Sequence, residues 1–227
     1  MKKAVITLNI GNYLPEITRL TYPFMQGWAK KIGAEFIEIT ERKWPEIPIV
    51  NYEKFQLQEI SKHYDWTYFL DCDALVMPET PDWAEMVNDK AIVLFNGVDN
   101  RLDRFKASNY SRRSGSKVGA CTWNVCCSDW TGPDLWQPPT DFTAACENIS
   151  LLWCEAKTGQ CQRNHLIDDY QLSENIARYG LKVQTINGIL QQMGRAPTHY
   201  THLYNCSVHK KLKAIRDKLD EEGIDYP

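Results

Sequence analysis

An apolar run from Ala4 to Leu8 is stopped by Asn9-Ile10-Gly11-Asn12. Behind it, Ile17, Leu20, Phe24, Trp28 and Ile32 recur at three- and four-residue steps. A short buried strand that breaks into an amphipathic helix opens a βαβ unit, because a parallel strand buries both faces and its crossover helix buries one. Pro15 suits the first helical turn, whereas Pro23 predicts a kink or a restart. Gly33 ends the helix, and Glu35 to Ile39 alternates as a second strand. This opening points to the α/β class, with parallel strands and helices packed on their sheet.

The pattern continues. Tyr52 to His63 reads as a helix with Phe55, Leu57 and Ile60 on its apolar positions, and Trp66 to Leu70 as a third buried strand that ends at Asp71-Cys72-Asp73. Ala91 to Phe95 is a further apolar run. Asp99 to Lys117 is polar, holds Arg101, Arg104, Lys106, Arg112, Arg113 and Lys117, and reads as a solvated loop. Cys121 to Ser128 supplies another strand. A helix is expected over Asp168 to Tyr179, with Asp168 as N-cap, Gln171 at the capping-box position and Gly180 just past its end. Leu181 to Ile186 is a strand, and Lys210 to Glu222 a charged helix on the surface.

Bulk composition narrows the function. The 227 residues, 43% apolar, suffice for the core of one domain, and 26 basic against 29 acidic residues give a net charge of −3. Such a chain sets up no general field for nucleic acid or an anionic membrane, so any phosphate recognition is local. After Lys2 and Lys3 the apolar stretch is too short for a signal-peptide core, and no run is long enough to span a bilayer. The eight cysteines include the adjacent pair Cys126-Cys127 and show no C-x-x-C spacing. Reduced thiols and a cytoplasmic location are expected, which leaves the sequons at Asn109, Asn148 and Asn205 unused.

In an open α/β sheet ligands settle beyond the carboxyl ends of strands, where Asn9-Ile10-Gly11 and Asp71-Cys72-Asp73 both fall. If the chain stays extended past Leu70, side chains two apart share a side, so Asp71 and Asp73 converge while Cys72 points away. Two convergent carboxylates suit Mn²⁺ or Mg²⁺ shared with a diphosphate.

The segment Tyr68-Phe69-Leu70-Asp71-Cys72-Asp73-Ala74-Leu75-Val76 resembles the D-x-D strand of GT-A fold glycosyltransferases, similar to glycogenin-like and bacterial lipooligosaccharide galactosyltransferases. The resemblance implies a single α/β, Rossmann-like GT-A domain over 1–227, a mixed, mainly parallel sheet flanked by helices, with a nucleotide-binding half at 1–97 and an acceptor-binding half and C-terminal segment at 98–227. It implies a metal-dependent transfer of a hexose or pentose from a UDP-sugar to a glycan acceptor, with Mn²⁺ or Mg²⁺ as cofactor. Thr7, Asn9 and Tyr13 then stand where base and ribose are contacted, Lys54, Cys72 and Asn124 belong to the same nucleotide- and donor-contacting set, and Lys210 or Lys211 reaches the phosphate oxygens. Trp123 to Trp130 resembles the N-x-G strand of the family, with Cys126 where glycine is usual. Asp168 and Asp169 match its acidic pair at the donor sugar and are the candidate catalytic residues. Thr201-His202 followed by Asn205-Cys206 resembles a T-H-x-x-G-C segment, which makes His202 the third metal ligand beside Asp71 and Asp73, with His199 as its competitor. Trp130, Trp136 and Trp153 are candidates to stack on an acceptor.

Two other readings fit the same residues. A haloacid-dehalogenase-like phosphohydrolase also ends an apolar strand in D-x-D and would use Asp71 as nucleophile, although that motif usually closes the first strand of its domain. A protein that binds sugar nucleotides without transferring sugar is the other.

Overall fold

A computed structural model describes residues 1–87, 92–94, 122–155, 166–194, 200–203 and 206–226. The N-terminal unit forms as its pattern predicts: β1 (Lys3–Leu8), α1 (Pro15–Lys31) and β2 (Ala34–Ile39), with β1 and β2 parallel. α1 runs through Pro23 as one helix, so the restart allowed for there does not occur. Pro23 is exposed, so the carbonyl that loses its partner faces water, while Ile17, Leu20, Met25 and Trp28 hold the opposite face in the core.

The 50–63 segment departs from a plain α-helix. It is a 3₁₀ helix over Val50–Gln56, a single α turn, α2 (Leu57–Ile60), and a further 3₁₀ turn over Ser61–His63. Glu53 and Lys54 are both buried there, and each is tied to partners outside the segment, which accompanies the tighter winding. β3 (Trp66–Leu70) forms on the residues expected. After it come β4 (Leu75–Val76), α3 (Trp83–Met86), β5 (Ile92–Leu94), β6 (Asn124–Ser128) and α4 (Gly132–Leu135). The rest of the described chain forms α5 (Phe142–Glu155), α6 (Ile167–Arg178), β7 (Val183–Thr185), α7 (Ile186–Gln192), β8 (Tyr200–Thr201) and α8 (Val208–Glu221).

The main sheet has the order β2-β1-β3-β6-β5-β7, in which only β6 runs against the others. The fold is therefore the mixed, mainly parallel sheet flanked by helices that the sequence implied. Strand periodicity divides its core into two faces. Ala4, Ile6, Phe69 and Val125 pack with α5 and α6, whereas Val5, Tyr68, Leu70 and Cys126 pack with Met25 and Trp28 of α1 and with α7. A third cluster joins Ile17 and Leu20 of α1 to Leu75, Met77, and Ile215 and Leu219 of α8. Among the described residues no helix is long and apolar enough to cross a membrane.

Candidate functional site

β1 has β2 on one side and β3 on the other, so the chain order reverses at β1 and the carboxyl ends of β1 and β3 frame a crevice. A cavity of about 600 Å³ lies there, within the ~300–1,000 Å³ usual for small-molecule sites. Leu8, Ile10 and Tyr13 line it from the end of β1, Val50, Asn51 and Lys54 from the 3₁₀ helix, and Asp71, Cys72 and Asp73 from the end of β3. Gly11, Asn12 and Leu14 all take left-handed backbone conformations in the turn that leaves β1. This reversal brings Tyr13 to the rim, 58% exposed.

The two aspartates converge by a turn and not along an extended strand, which corrects the geometry expected for 71–73. The Ala74 N–H donates to the Asp71 carbonyl at 2.9 Å, the Asp71 N–H donates to the Trp123 carbonyl at 2.9 Å, and the Thr21 hydroxyl donates to the Cys72 carbonyl at 2.6 Å. β4 leaves this turn and pairs antiparallel with β8, Leu75 opposite Thr201, which delivers His202 to the carboxylates. Its Nε2 lies 3.3 Å from Asp73 Oδ1 and 3.7 Å from Asp71 Oδ2. The Trp123 ring stacks on the imidazole, centroids 4.7 Å apart and planes within 11°, and so fixes its orientation.

These residues fit a divalent cation. One ligand atom each from Asp71, Asp73 and His202 lies within 4.8 Å of the others, two hard oxygens and an imidazole nitrogen. Asp73 Oδ2 meanwhile accepts from the Lys211 ammonium, a positive group already seated at the same carboxylate. Burial works to raise the Asp73 pKa, but His202 and Lys211 outweigh it and hold the carboxyl well below the usual range.

Behind Asp71 lies a second, buried set of charges. Lys54 bridges Asp71 Oδ1 at 2.9 Å and Asp168 Oδ2 at 2.7 Å. Burial opposes the charge on Lys54, and the Asp168 and Asp71 carboxylates more than compensate, raising its pKa. The Thr122 hydroxyl donates to Asp168 Oδ2 at 2.6 Å and approaches Asp169 Oδ1 at 2.9 Å, and the Thr122 N–H donates to Asp169 Oδ1 at 2.9 Å. Asp168 and Asp169 lie in the first turn of α6, where the helix end favours ionised carboxylates. The N-cap is Leu166, so Asp168 is not the cap that the sequence suggested, and the Gln171 amide donates to Asn175 instead of closing a capping box.

The remaining candidates divide. Tyr13, Lys54, Asp71, Cys72, Asp73 and His202 share one cavity. Thr7 and Asn9 are buried just behind its Leu8 wall. The Asn9 amide donates to Glu38 at 2.8 Å, while Asn9 Oδ1 and Thr7 Oγ1 have no hydrogen-bond partner among the described residues. Asn124 is buried opposite Leu70, and Asp168 and Asp169 sit in the buried network. Lys210 is exposed, and its neighbour Lys211 lines the cavity. Trp136 is fully buried, so it offers no face to an acceptor, while Trp130 is 68% exposed. His199, the 99–117 loop and the Trp153 side chain lie outside the described residues.

Sequence reasoning missed Thr122, missed Trp123 as the platform for His202, and left the choice between Lys210 and Lys211 open. A signal for the last existed, because Lys211, Ile215 and Leu219 recur at four-residue steps and Ile215 and Leu219 face the core.

No protein-family model matches the chain, and no curated protein sequence does. In three dimensions the chain is similar to a glycosyltransferase involved in the glycosylation of the major capsid of PBCV-1. The TM-score is 0.55 at 8% identity, over 96% of this chain and 100% of that one. At that identity the likeness extends to the fold: the chain has a glycosyltransferase-like architecture.

Proposed function

We propose that the chain is a metal-dependent glycosyltransferase of the GT-A, D-x-D type. It moves a hexose or pentose from a nucleoside diphosphate sugar, with UDP as carrier, to a glycan or glycoconjugate acceptor. The observation that carries this reading is the convergence of Asp71, Asp73 and His202 on a nucleotide-sized cavity at the switch point of a glycosyltransferase-like fold. These three residues would hold the cation, Mn²⁺ in preference to Mg²⁺ because one donor is an imidazole. Bound there, it supplies positive charge to a departing diphosphate.

The chain's own residues do the rest. Leu8, Ile10 and Tyr13 offer an apolar wall to the base, and Asn9, whose oxygen is buried and without a partner among the described residues, backs that wall. Of Lys210 and Lys211, it is Lys211, on the cavity wall, that takes the diphosphate role. Asp169 is assigned to the donor sugar. The 1–97 half contributes the carboxylates and the base wall, and the 98–227 half contributes His202, Lys211 and the acceptor side.

The test is a screen of nucleotide sugars for Mn²⁺-dependent turnover, with hydrolysis in the absence of acceptor as the first readout. The Asp73→Asn variant is expected to lose on the order of 100-fold in turnover, the scale of one lost electrostatic contact to a transition state. His202→Ala should raise the Mn²⁺ requirement several-fold, and Asp169→Asn should lower turnover more than UDP affinity. Phosphate release from a simple phosphomonoester would favour a phosphohydrolase with Asp71 as nucleophile. UDP-sugar binding without any turnover would leave a binding protein.

A further inference from the structure

Lys54 lines the cavity wall, yet its ammonium is already committed. An ammonium has three N–H donors and no acceptor. Lys54 Nζ has three acceptors, Asp168 Oδ2 at 2.7 Å, Asp71 Oδ1 at 2.9 Å and Thr122 Oγ1 at 3.1 Å, and its side chain is 5% exposed. A phosphate oxygen arriving there would have to displace one of them and strand a buried carboxylate or hydroxyl. The other end of the contact matters as much. Asp71 spends Oδ1 on Lys54 and turns Oδ2 toward His202. On the far side, Asp168 and Thr122 fasten the same ammonium to the first turn of α6.

From this geometry we infer that Lys54 is a positioning residue that never touches the diphosphate: it holds Asp71 through Oδ1, presents Oδ2 alone to the cation, and locks the end of β3 to α6. The inference rests on the proposed reading of Asp71, Asp73 and His202 as a cation site. It gives Lys54 a part in metal selection. A carboxylate limited to one oxygen suits a small cation such as Mn²⁺, whereas the larger Ca²⁺ collects more oxygens and gains from bidentate carboxylates. Asp168 becomes the counter-charge of the strut, which lets Lys54 stay charged in the interior without cancelling the pull of Asp71 on the metal.

Two variants of the full chain test it: Lys54→Met combined with Asp168→Asn, which removes both charges of the buried pair, and Asp168→Asn alone. Mn²⁺ binding is read from the paramagnetic resonance of the free ion, Ca²⁺ by competition, and inorganic pyrophosphate by calorimetry at saturating Mn²⁺. In the double variant the ratio of Mn²⁺ to Ca²⁺ affinity is expected to fall about five-fold as Asp71 gains a second free oxygen. Pyrophosphate affinity should stay within about two-fold of wild type, since no donor to phosphate has been lost. Asp168→Asn alone throws the whole ammonium charge onto Asp71 and should weaken Mn²⁺ binding about three-fold. That arm decides the matter if the double variant does not fold. A ten-fold or greater loss of pyrophosphate affinity in the double variant would put Lys54 on the phosphate. An unchanged Mn²⁺ to Ca²⁺ ratio, or an Mn²⁺ affinity untouched by Asp168→Asn, would end the positioning role. A wild-type chain that binds no Mn²⁺ would overturn the cation site and this inference together, whereas a wild-type chain that binds it with variants off this pattern would overturn the inference alone.

Discussion

Cys72 stands between the two carboxylates of the site, and that position fixes its chemistry. Burial, then the charges of Asp73 and Asp71, push its thiol up to about 12. Because the thiolate is the reactive form, Cys72 is inert near neutral pH although it lines the cavity. Cys206 lines the same cavity but is half-buried, with its thiol toward the Leu203 carbonyl. Iodoacetamide applied to the native chain at mildly alkaline pH is therefore expected to label Cys206 well before Cys72, as read by peptide mass mapping. Equal labelling of the two would contradict the packing around the Asp71–Ala74 turn.

At the scale of elements, the 3₁₀ helix that carries Lys54 owes its position to the residue before it. Glu53 is fully buried and accepts from the Arg42 side chain at 3.2 Å, from the Lys43 and Trp44 N–H groups at 2.8 and 3.1 Å, and from Gln56 at 2.9 Å. One carboxylate thus staples the loop after β2 onto the helix. Glu53→Gln leaves the shape and turns an acceptor into a donor facing donors, which should cost about 3 kcal/mol of unfolding free energy in a denaturant titration. A loss below ~1 kcal/mol would mean that the loop is held by Trp44 and Tyr52 packing instead. This staple also shows where sequence reading stops. β3 was legible to the residue, because an uninterrupted apolar run ended in charge, and the βαβ opening was legible from its two periods. The 3₁₀ winding was not, since it goes with partners of Glu53 and Lys54 that lie 9 to 114 positions away in sequence. α5 was overlooked even though Asp141 before it caps the Ala144 N–H, a local signal that could have been read. The antiparallel insertion of β6 left no local trace, because pairing direction is set by connections and not by periodicity.

Across the whole molecule, the site is closed by segments from opposite ends of the chain. β8 delivers His202, and α8 delivers Lys211 to Asp73 across 138 positions. α8 is a charged helix whose inner stripe carries Ile215 and Leu219 against Ile17, Leu20, Leu75 and Met77, and Lys211 lies two turns back on that same stripe. Anchor and ligand-facing lysine are thus one rigid piece, so loosening the anchor should be felt at the cavity. Leu219→Ala is expected to cost about 3 kcal/mol as a cavity opens in this cluster. Under native conditions it should also weaken UDP binding several-fold, with faster amide exchange in α8 and unchanged exchange in β3. Leu219→Met keeps the volume and should keep both properties. If Leu219→Ala instead speeds exchange in α8 and β3 alike and leaves UDP affinity at the wild-type value, then α8 unfolds only with the domain and Lys211 does not contribute to nucleotide binding.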